Sequence, residues 1–588
     1  MKSTPLGAQY RLTALQQLAE EEFDVLVVGG GVVGAGAALD AVSRGLSVAL
    51  VEARDWAAGT SSRSSKLIHG GLRYLEQRDF GLVREALTER SILLDKIAPH
   101  LVRPIPFLLP LRHRVWERAY IGVGVLMYDT MGVGGTRALP RHRHLSKSAA
   151  LRRAPGLRPD SFVGAIQYYD AQVDDARYTM MLARTAAQYG AQVVTRARVT
   201  GFLHEGERVT GAVVRDLEGE GEIRVRARRV ICATGVWTDD VHGLAQTRGS
   251  VSVRAAKGVH LVVPRDRINL DTGLIARTEK SVLFVIPWGR HWLIGTTDTD
   301  WQLDRNHPAA SSSDIDYLLD HVNAVLAKPL TREDIQGVYA GLRPLVSGES
   351  DQTSQLSREH VVDSPSPGLV IVTGGKFTTY RVMAKDAVDA AVADLDAAVP
   401  ESVTEKVQIL GAEGYAAVWN ERRRLAQRSG VHPARVEHLL HRYGSCVDEL
   451  FELIAADKSL AEPLAGADDY LRVEAVYAAS HEGALHLEDI LTRRTRISIE
   501  EWDRGVAAAT EVAGLVAPIL GWSAEATRTE VERYLGRVEA ERASQLRADD
   551  STADQARREA PDLFDVVAPD ASGSAVAPDS TVASTPAV

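Results

Sequence analysis

Apolar and polar positions along the chain change rhythm several times, and each change marks a different kind of element. Asp24-Val25-Leu26-Val27-Val28 is a short β-branched run that breaks directly into Gly29-Gly30-Gly31-Val32-Val33-Gly34. That pattern predicts a parallel strand buried on both faces, followed by a glycine turn. Ala35 to Arg44 is small and helix-favouring, Gly45 ends it, and Leu46 to Val51 makes a second strand closed by Glu52. A complete βαβ unit therefore fits inside about thirty residues.

A second α/β stretch spans Asp174 to Thr234: a helix through Arg177 to Tyr189, a strand from Gln192 to Thr195, a polar hairpin at Glu205-Gly206-Glu207, and a strand at Val230-Ile231-Cys232-Ala233. Between the two stretches, Pro104 to Pro155 is rich in proline and arginine. Residues 251–300, with Leu261-Val262-Val263 and Leu283-Phe284-Val285-Ile286, alternate as strands and turns, which predicts an antiparallel sheet. From about residue 401 to 540 amphipathic helical periodicity takes over and marks a separate helical domain. The end, from about Leu546 to Val588, is rich in Ala, Ser, Asp, Pro and Thr, and is expected to be disordered.

With 588 residues the chain exceeds one hydrophobic core, so two or three domains are expected. A net charge of -10 argues against a general nucleic-acid binder, because phosphate neutralisation needs a basic field. The two cysteines, Cys232 and Cys446, exclude a disulfide framework, lack metal-ligand spacing and fit a reducing compartment. Met1 to Glu22 is a polar extension without the apolar core of a signal peptide, and no apolar run reaches the roughly 20 residues a bilayer span needs. A cytoplasmic protein, or one held on a membrane surface, is expected; no metal is.

In Gly29-x-Gly31-x-x-Gly34 the first glycine allows the tight turn, the second lets the backbone approach a pyrophosphate, and the third permits close helix-strand packing. Glu52 stands where a carboxylate accepts ribose hydroxyls, which favours FAD or NAD over NADP. With the hydroxyl-rich segment after the second strand and the late Ala233-Thr234-Gly235 strand end, the chain resembles two-dinucleotide-fold flavoproteins of the D-amino-acid oxidase type, a resemblance that implies FAD rather than NAD.

Thr60-Ser61-Ser62-Arg63-Ser64-Ser65-Lys66-Leu67-Ile68-His69-Gly70-Gly71-Leu72-Arg73-Tyr74-Leu75-Glu76 resembles the flavin-contact segment of FAD-dependent glycerol-3-phosphate dehydrogenases. Lys257-Gly258-Val259-His260, Phe284-Val285-Ile286-Pro287-Trp288, Gly295-Thr296-Thr297-Asp298, Gly341-Leu342-Arg343-Pro344-Leu345 and Gly374-Gly375-Lys376-Phe377-Thr378-Thr379-Tyr380-Arg381 match in order, from about residue 23 to about 540. Arg63 and Val259 depart from the residues common there, a small residue and a serine. The resemblance implies an α/β, Rossmann-like FAD-binding domain of the two-dinucleotide-fold, D-amino-acid-oxidase type, with an antiparallel-sheet substrate domain and an all-α C-terminal domain. The implied boundaries are an N-terminal extension 1–22, an FAD-binding domain 23–100 plus 160–245 plus 350–400, a substrate domain 101–159 plus 246–349, helices 401–540 and a disordered tail 546–588.

The implied reaction oxidises glycerol 3-phosphate to dihydroxyacetone phosphate, moving a hydride from C2 to the flavin N5. A base must take the hydroxyl proton, and His260 is the expected base because imidazole accepts protons near neutral pH; it could equally hydrogen-bond the substrate only, and His69 is an alternative. Guanidinium groups suit a phosphate dianion, which makes Arg73, Arg343 and Arg358 the expected anchors, although each in isolation also fits a solvated arginine. Tyr74 would line the substrate pocket, and Lys376 would lie near the flavin or substrate. Flavin contacts are assigned to Gly29, Gly31, Gly34, Glu52, Ser62, Ser65, Lys66, Leu67, Val199, Gly235, Gly375, Lys376 and Thr378, with Trp237 packing near the ribityl-pyrophosphate region.

The resemblance implies a membrane quinone as electron acceptor, with oxygen as the alternative, a homodimer, and a place on the cytoplasmic face of the inner membrane. Leu108-Leu109-Pro110-Leu111-Arg112-His113-Arg114-Val115-Trp116-Glu117-Arg118-Ala119-Tyr120 has the mix of basic, aromatic and aliphatic residues that suits a bilayer interface, and suits equally a basic helix packed on its own domain. From a different class, the arginines could hold a phosphorylated metabolite without turnover, in a flavin-containing sensor.

Overall fold

The fold follows from two sheets that share connections. A computed structural model describes residues 3–71, 80–113, 117–118, 121–122, 124–125, 139–219, 221–247, 251–277, 282–347, 359–395 and 398–560. The first sheet runs His360–Ser366, Leu369–Gly374, Gly221–Cys232, Glu22–Val28, Val48–Val51, Gln192–Val194. Its four inner pairings are parallel. Val25 and Val27 pack into the core beneath the helices Val32–Ser43, Asp175–Gln188 and Tyr380–Val392, whereas Leu26 and Val28 pack on the opposite face. Burial on both faces is why this strand carries no polar alternation.

On that opposite face lie Ala14 and Leu18 of the N-terminal helix Ala8–Glu20, together with the hairpin Ala197–Glu205 and Arg208–Asp216. The helix Val32–Ser43 is built of small residues for a steric reason: a Cβ on Gly36 would stand 2.8 Å from the Tyr380 ring. The predicted first βαβ unit and the second α/β stretch are both present in this sheet.

Ten strands form the second sheet, centred on Val253–Pro264, which pairs antiparallel with Gly337–Val346 on one side and with His291–Gly295 and Thr299–Trp301 on the other. The pairing is antiparallel among residues 251–300, as expected, but Gly273–Arg277 runs parallel to Arg103–Leu111. Two strands expected with the FAD-binding segments, Leu67–Ile68 and Gly164–Gln172, hydrogen-bond into this second sheet. The chain thus crosses between sheets just after residue 66 and again just after residue 172. That crossing brings the hydroxyl-rich loop to the seam.

Leu108, Leu109 and Leu111, considered above for a bilayer interface, are buried inside Arg103–Leu111 instead, Leu109 and Leu111 in a core shared with Phe107 and Tyr168 and Leu108 in the core on the opposite face. Their apolar surface is spent within the sheet. No described helix is long and apolar enough to cross a membrane.

The C-terminal region is helical from Tyr415–Asn420 to Ala524–Ser544, with one small hairpin, Pro463–Leu464 and Ala467–Leu471. Disorder from residue 546 is not what residues 546–560 show. The helix Asp550–Arg558 buries Ala553, Asp554, Ala556 and Arg557, with Ala553 against Val236, Trp301 and Leu342. Its low-complexity composition conceals one buried helical face, two alanines flanked by a buried aspartate and arginine. Residues 561–588 lie outside the described ones.

Buried ion pairs tie the helical domain to the rest. His486 sits between Glu218 of the first-sheet region and Glu530 of the helices, with Nε2 at 2.9 Å and Nδ1 at 3.0 Å from their oxygens. Burial opposes its charge, but these two carboxylates outweigh it and push the imidazolium up to about 9. A folded-state value above the unfolded one, about 6.5, means the proton stabilises the fold fully below that pH and ceases to do so as pH rises through about 9. The stability difference between wild type and His486→Gln should therefore shrink by up to about 3 kcal/mol between pH 6.5 and 9, measured by chemical unfolding. A difference that does not change with pH would contradict this.

Candidate active site

The phosphate-cradling turn is sterically specified. Gly29 has φ +110° at the end of its strand, and a Cβ there would come within 2.7 Å of Ala233 O. A Cβ on Gly34 would overlap Gly29 O. Gly31 caps Val32–Ser43, and Gly31, Val32 and Val33 at this helix start line a cavity. Glu52 accepts from Gly30 N–H at 2.6 Å and from Arg54 N–H at 2.7 Å. Burial raises its pKa, while these two amides favour the carboxylate. A carboxylate offers about four lone-pair sites, so acceptor capacity remains for a ribose diol.

From this turn a cavity of about 1380 Å³ extends to the second sheet. Glu52, Arg54 and Val199 line one end, Gly29, Gly31, Gly235 and Trp237 the middle, and His260, Arg343, Gly375, Lys376 and Thr378 the other. The chemistry along it fits FAD: carboxylate for ribose, glycine amides for pyrophosphate, and cations with an imidazole for the ring.

The end at the second sheet is set by register. His260 pairs with Tyr339, Gly258 with Gly341 and Ala256 with Arg343, so His260 and Arg343 share the cavity face and two glycines lie between them. Side chains there are excluded: a Cβ on Gly258 would stand 2.5 Å from Arg343 Nη2, and one on Gly341 2.5 Å from Arg63 O. Arg343 is held by its own neighbours, donating to Thr296 Oγ1 and Thr297 O, each at 3.1 Å, and lying 3.4 Å from Asp298 Oδ1. The Gly-Thr-Thr-Asp segment thereby orients the guanidinium.

His260 stacks on Tyr339 with centroids 4.8 Å apart, and its Nε2 lies 2.8 Å from Ser65 Oγ. Its Nδ1 is buried without a hydrogen-bond partner among the described residues. Burial first, then the Arg343 and Lys66 cations, hold the ring well below the ordinary histidine range, so it is neutral at working pH.

Gly374 and Gly375, at φ +80° and +70°, turn the chain so that Lys376 enters the cavity wall ahead of Phe377–Thr379. Thr378 Oγ1 accepts from His69 N–H at 3.2 Å and lies 3.3 Å from His69 O, which fastens this late segment to the early one. Leu67, Ser65 and His69 line the same wall.

Two expected flavin contacts are placed elsewhere. Lys66, at φ +57°, turns its side chain away from the cavity and is fully buried, with Nζ 2.8 Å from Asp175 Oδ1 and 3.0 Å from Ser62 O. Burial and the neighbouring Arg496 pull its pKa down to about 8. Ser62 likewise faces away from the large cavity, its carbonyl accepting from Lys66 and Arg496. Ser61, one residue earlier and unassigned above, lines the cavity and caps the helix start, accepting from Val32 N–H at 3.0 Å. Gly34 acts through packing rather than by lining the cavity. Arg73, Tyr74 and Arg358 lie outside the described residues.

Asp175 was also missed. It receives Ser64 N–H at 2.9 Å, Ser64 Oγ at 2.7 Å, Lys66 Nζ at 2.8 Å and Arg496 Nη2 at 2.5 Å. The only signal in the sequence is a pair of aspartates before a helix.

The profile of the family described as FAD dependent oxidoreductase matches residues 24–390, and that of the C-terminal domain of alpha-glycerophosphate oxidase matches residues 402–527. The chain is 59% identical over 557 residues, 95% of each chain, to a protein of Mycobacterium tuberculosis (strain ATCC 25618 / H37Rv) named glycerol-3-phosphate dehydrogenase 2. It is 37% identical to the human mitochondrial glycerol-3-phosphate dehydrogenase, over 88% of this chain and 73% of that one. Among solved structures, the glycerol-3-phosphate dehydrogenase of Bacillus halodurans complexed with FAD superposes with a TM-score of 0.75 at 27% identity, covering 91% of this chain and 98% of that one.

The placement of Asp175 carries a prediction. Asp175→Ala leaves Lys66 and Arg496 without this buried counter-ion, and loss of one buried partner costs about 3–5 kcal/mol. Thermal unfolding of the variant should shift markedly downward, with flavin and tryptophan signals lost together. An unchanged melting temperature would show that Asp175 does not hold the loop.

Proposed function

The chain belongs to the family of FAD-dependent glycerol-3-phosphate dehydrogenases, and from that premise we propose that it oxidises sn-glycerol 3-phosphate to dihydroxyacetone phosphate and passes the electrons to a membrane quinone. The observation that carries the reading is the shared face of His260 and Arg343 on the wall of the cavity that Gly29, Gly31 and Glu52 also line. FAD supplies the hydride acceptor when bound. The chain's own residues bind, orient and move the proton.

Arg343, already oriented by Thr296 and Thr297, anchors the substrate phosphate through charge-assisted hydrogen bonds. Neutral His260 is the base, and Nε2 is the receiving atom because Nδ1 is shut away from the cavity. Ser65 Oγ, on the cavity wall 2.8 Å from Nε2, takes the C2 hydroxyl proton while handing its own to the ring. Lys376, also on the cavity wall, would supply a positive charge that favours the reduced, negatively charged form of a bound flavin.

The quinone acceptor, a homodimer and a place on the cytoplasmic membrane surface complete the proposal. The acceptor is supported by the relatives' name, dehydrogenase; the C-terminal domain's likeness to an oxidase supports oxygen as the second reading.

Anaerobic addition of glycerol 3-phosphate to the FAD-loaded protein should bleach the oxidised flavin band, and a quinone analogue should restore it without hydrogen peroxide. No bleaching would overturn the assignment, and stoichiometric peroxide in air would move it to an oxidase.

The state of His260 predicts the acid limb. An ordinary histidine would lose its base function below about pH 6.5, whereas a depressed one keeps it to lower pH. kcat is the right readout, since a phosphate monoester itself titrates near about 6. It should show no loss at pH 6.5; a break there that His260→Asn removes would refute a neutral, buried base.

A further inference from the structure

A second, smaller cavity of about 70 Å³ adjoins the first across Arg63, which lines both. Three parts of the molecule meet there: the loop at Ser62 and Arg63, the strand residues Val338 to Ala340, and the helical domain. Five guanidinium groups line it, from Arg63, Arg493, Arg496, Arg537 and Arg557, against one carboxylate, Glu541.

Some of this charge is already matched. Arg493 pairs with Asp55 at 2.5 Å and Asp489 at 2.6 Å, and Arg496 with Asp174 and Asp175. Arg537 keeps its charge beside Glu488 at 3.4 Å and Glu541 at 3.8 Å, but its Nε and Nη1 are buried and make no hydrogen bond among the described residues. Arg63 donates from Nη1 to Asn306 O at 3.2 Å and forms no ion pair among the described residues. Burial, then the cations of Arg54 and Arg537, pull its pKa down to about 9.

Five guanidiniums and one carboxylate thus surround a space on the scale of about two waters at roughly 30 Å³ each.

We propose that this cavity binds a small tetrahedral oxyanion of the phosphate class, at a site separate from the substrate anchor. Its oxygens would meet Arg63 and Arg537, with Ser498 also lining the cavity. Such an anion would join the flavin loop to the helical domain. Its effect would be on the stability of that junction, independent of turnover.

The test uses the full FAD-loaded chain. Inorganic phosphate and sulfate, titrated against chloride at matched ionic strength, should give a saturable rise in Tm of about 2 °C or more. Arg343→Gln controls for phosphate in the substrate site and should keep the rise, whereas Arg537→Gln and Arg63→Gln should each abolish it; if one of these does not fold, the other decides. Crystals grown with tungstate should show an anomalous peak bounded by Arg63, Arg493 and Arg537. No saturable rise, a rise lost only in Arg343→Gln, a rise kept in the Arg537 and Arg63 variants, or no peak in this cavity would overturn the proposal.

Discussion

One buried carboxylate, that of Asp175, sets the geometry on which the site depends. It collects the backbone and hydroxyl of Ser64, the ammonium of Lys66 and the guanidinium of Arg496. Four donors from two directions leave the loop from Ser61 to Lys66 little freedom. Lys66 takes φ +57° to reach the carboxylate, and that turn leaves Ser65 beside His260. A buried charge is costly unless paired and hydrogen-bonded, so the loop and Arg496 satisfy the aspartate as much as it holds them.

The second constraint is space at the sheet surface. Gly258 and Gly341 face each other across paired strands, and any side chain there would collide with Arg343 or with the Arg63 backbone. The floor between His260 and Arg343 is therefore bare backbone. The same strand turns Lys257 to the other side, where it is buried against Asp314 at 2.6 Å and Asp550 at 2.5 Å. The strand that presents His260 is thus pinned from behind by the helix Asp550–Arg558, a segment whose composition suggested no structure at all.

These pairings explain which features could be read from the chain alone. The βαβ unit was legible because its determinants are local: a buried run, three glycines at fixed offsets and an acid at the next strand end. His260 and Arg343 were reached through family-like segments, and antiparallel register then brings them to one face. The direction of Lys66 could not be read, because it depends on an aspartate more than a hundred residues away and on a left-handed turn without glycine. Membership of Leu67–Ile68 and Gly164–Gln172 in the second sheet was hidden for a related reason, since strand pairing is a long-range choice. Leu108, Leu109 and Leu111 show the reverse: a composition that suited either a bilayer interface or a packed basic helix is, in the pleat, a core strand.

The helical domain is best understood as the source of the counter-charges that the flavin-side residues lack. Asp55, which follows Glu52 closely, is completely buried and is neutralised by Arg493 and Arg494. Asp174 and Asp175 are neutralised by Arg496, and Asp174 also by Arg442. In return, Glu482 of the helical domain takes Arg177 at 2.8 Å. Pairs of this kind add little net stability over an apolar contact, yet breaking one strands a charge inside the protein. Their consequence is obligation rather than strength: neither part can separate from the other without exposing or stranding several charges at once. The loop that borders the flavin cavity is then held rigid by residues more than four hundred positions away, which is why a region far from the chemistry is built into the site.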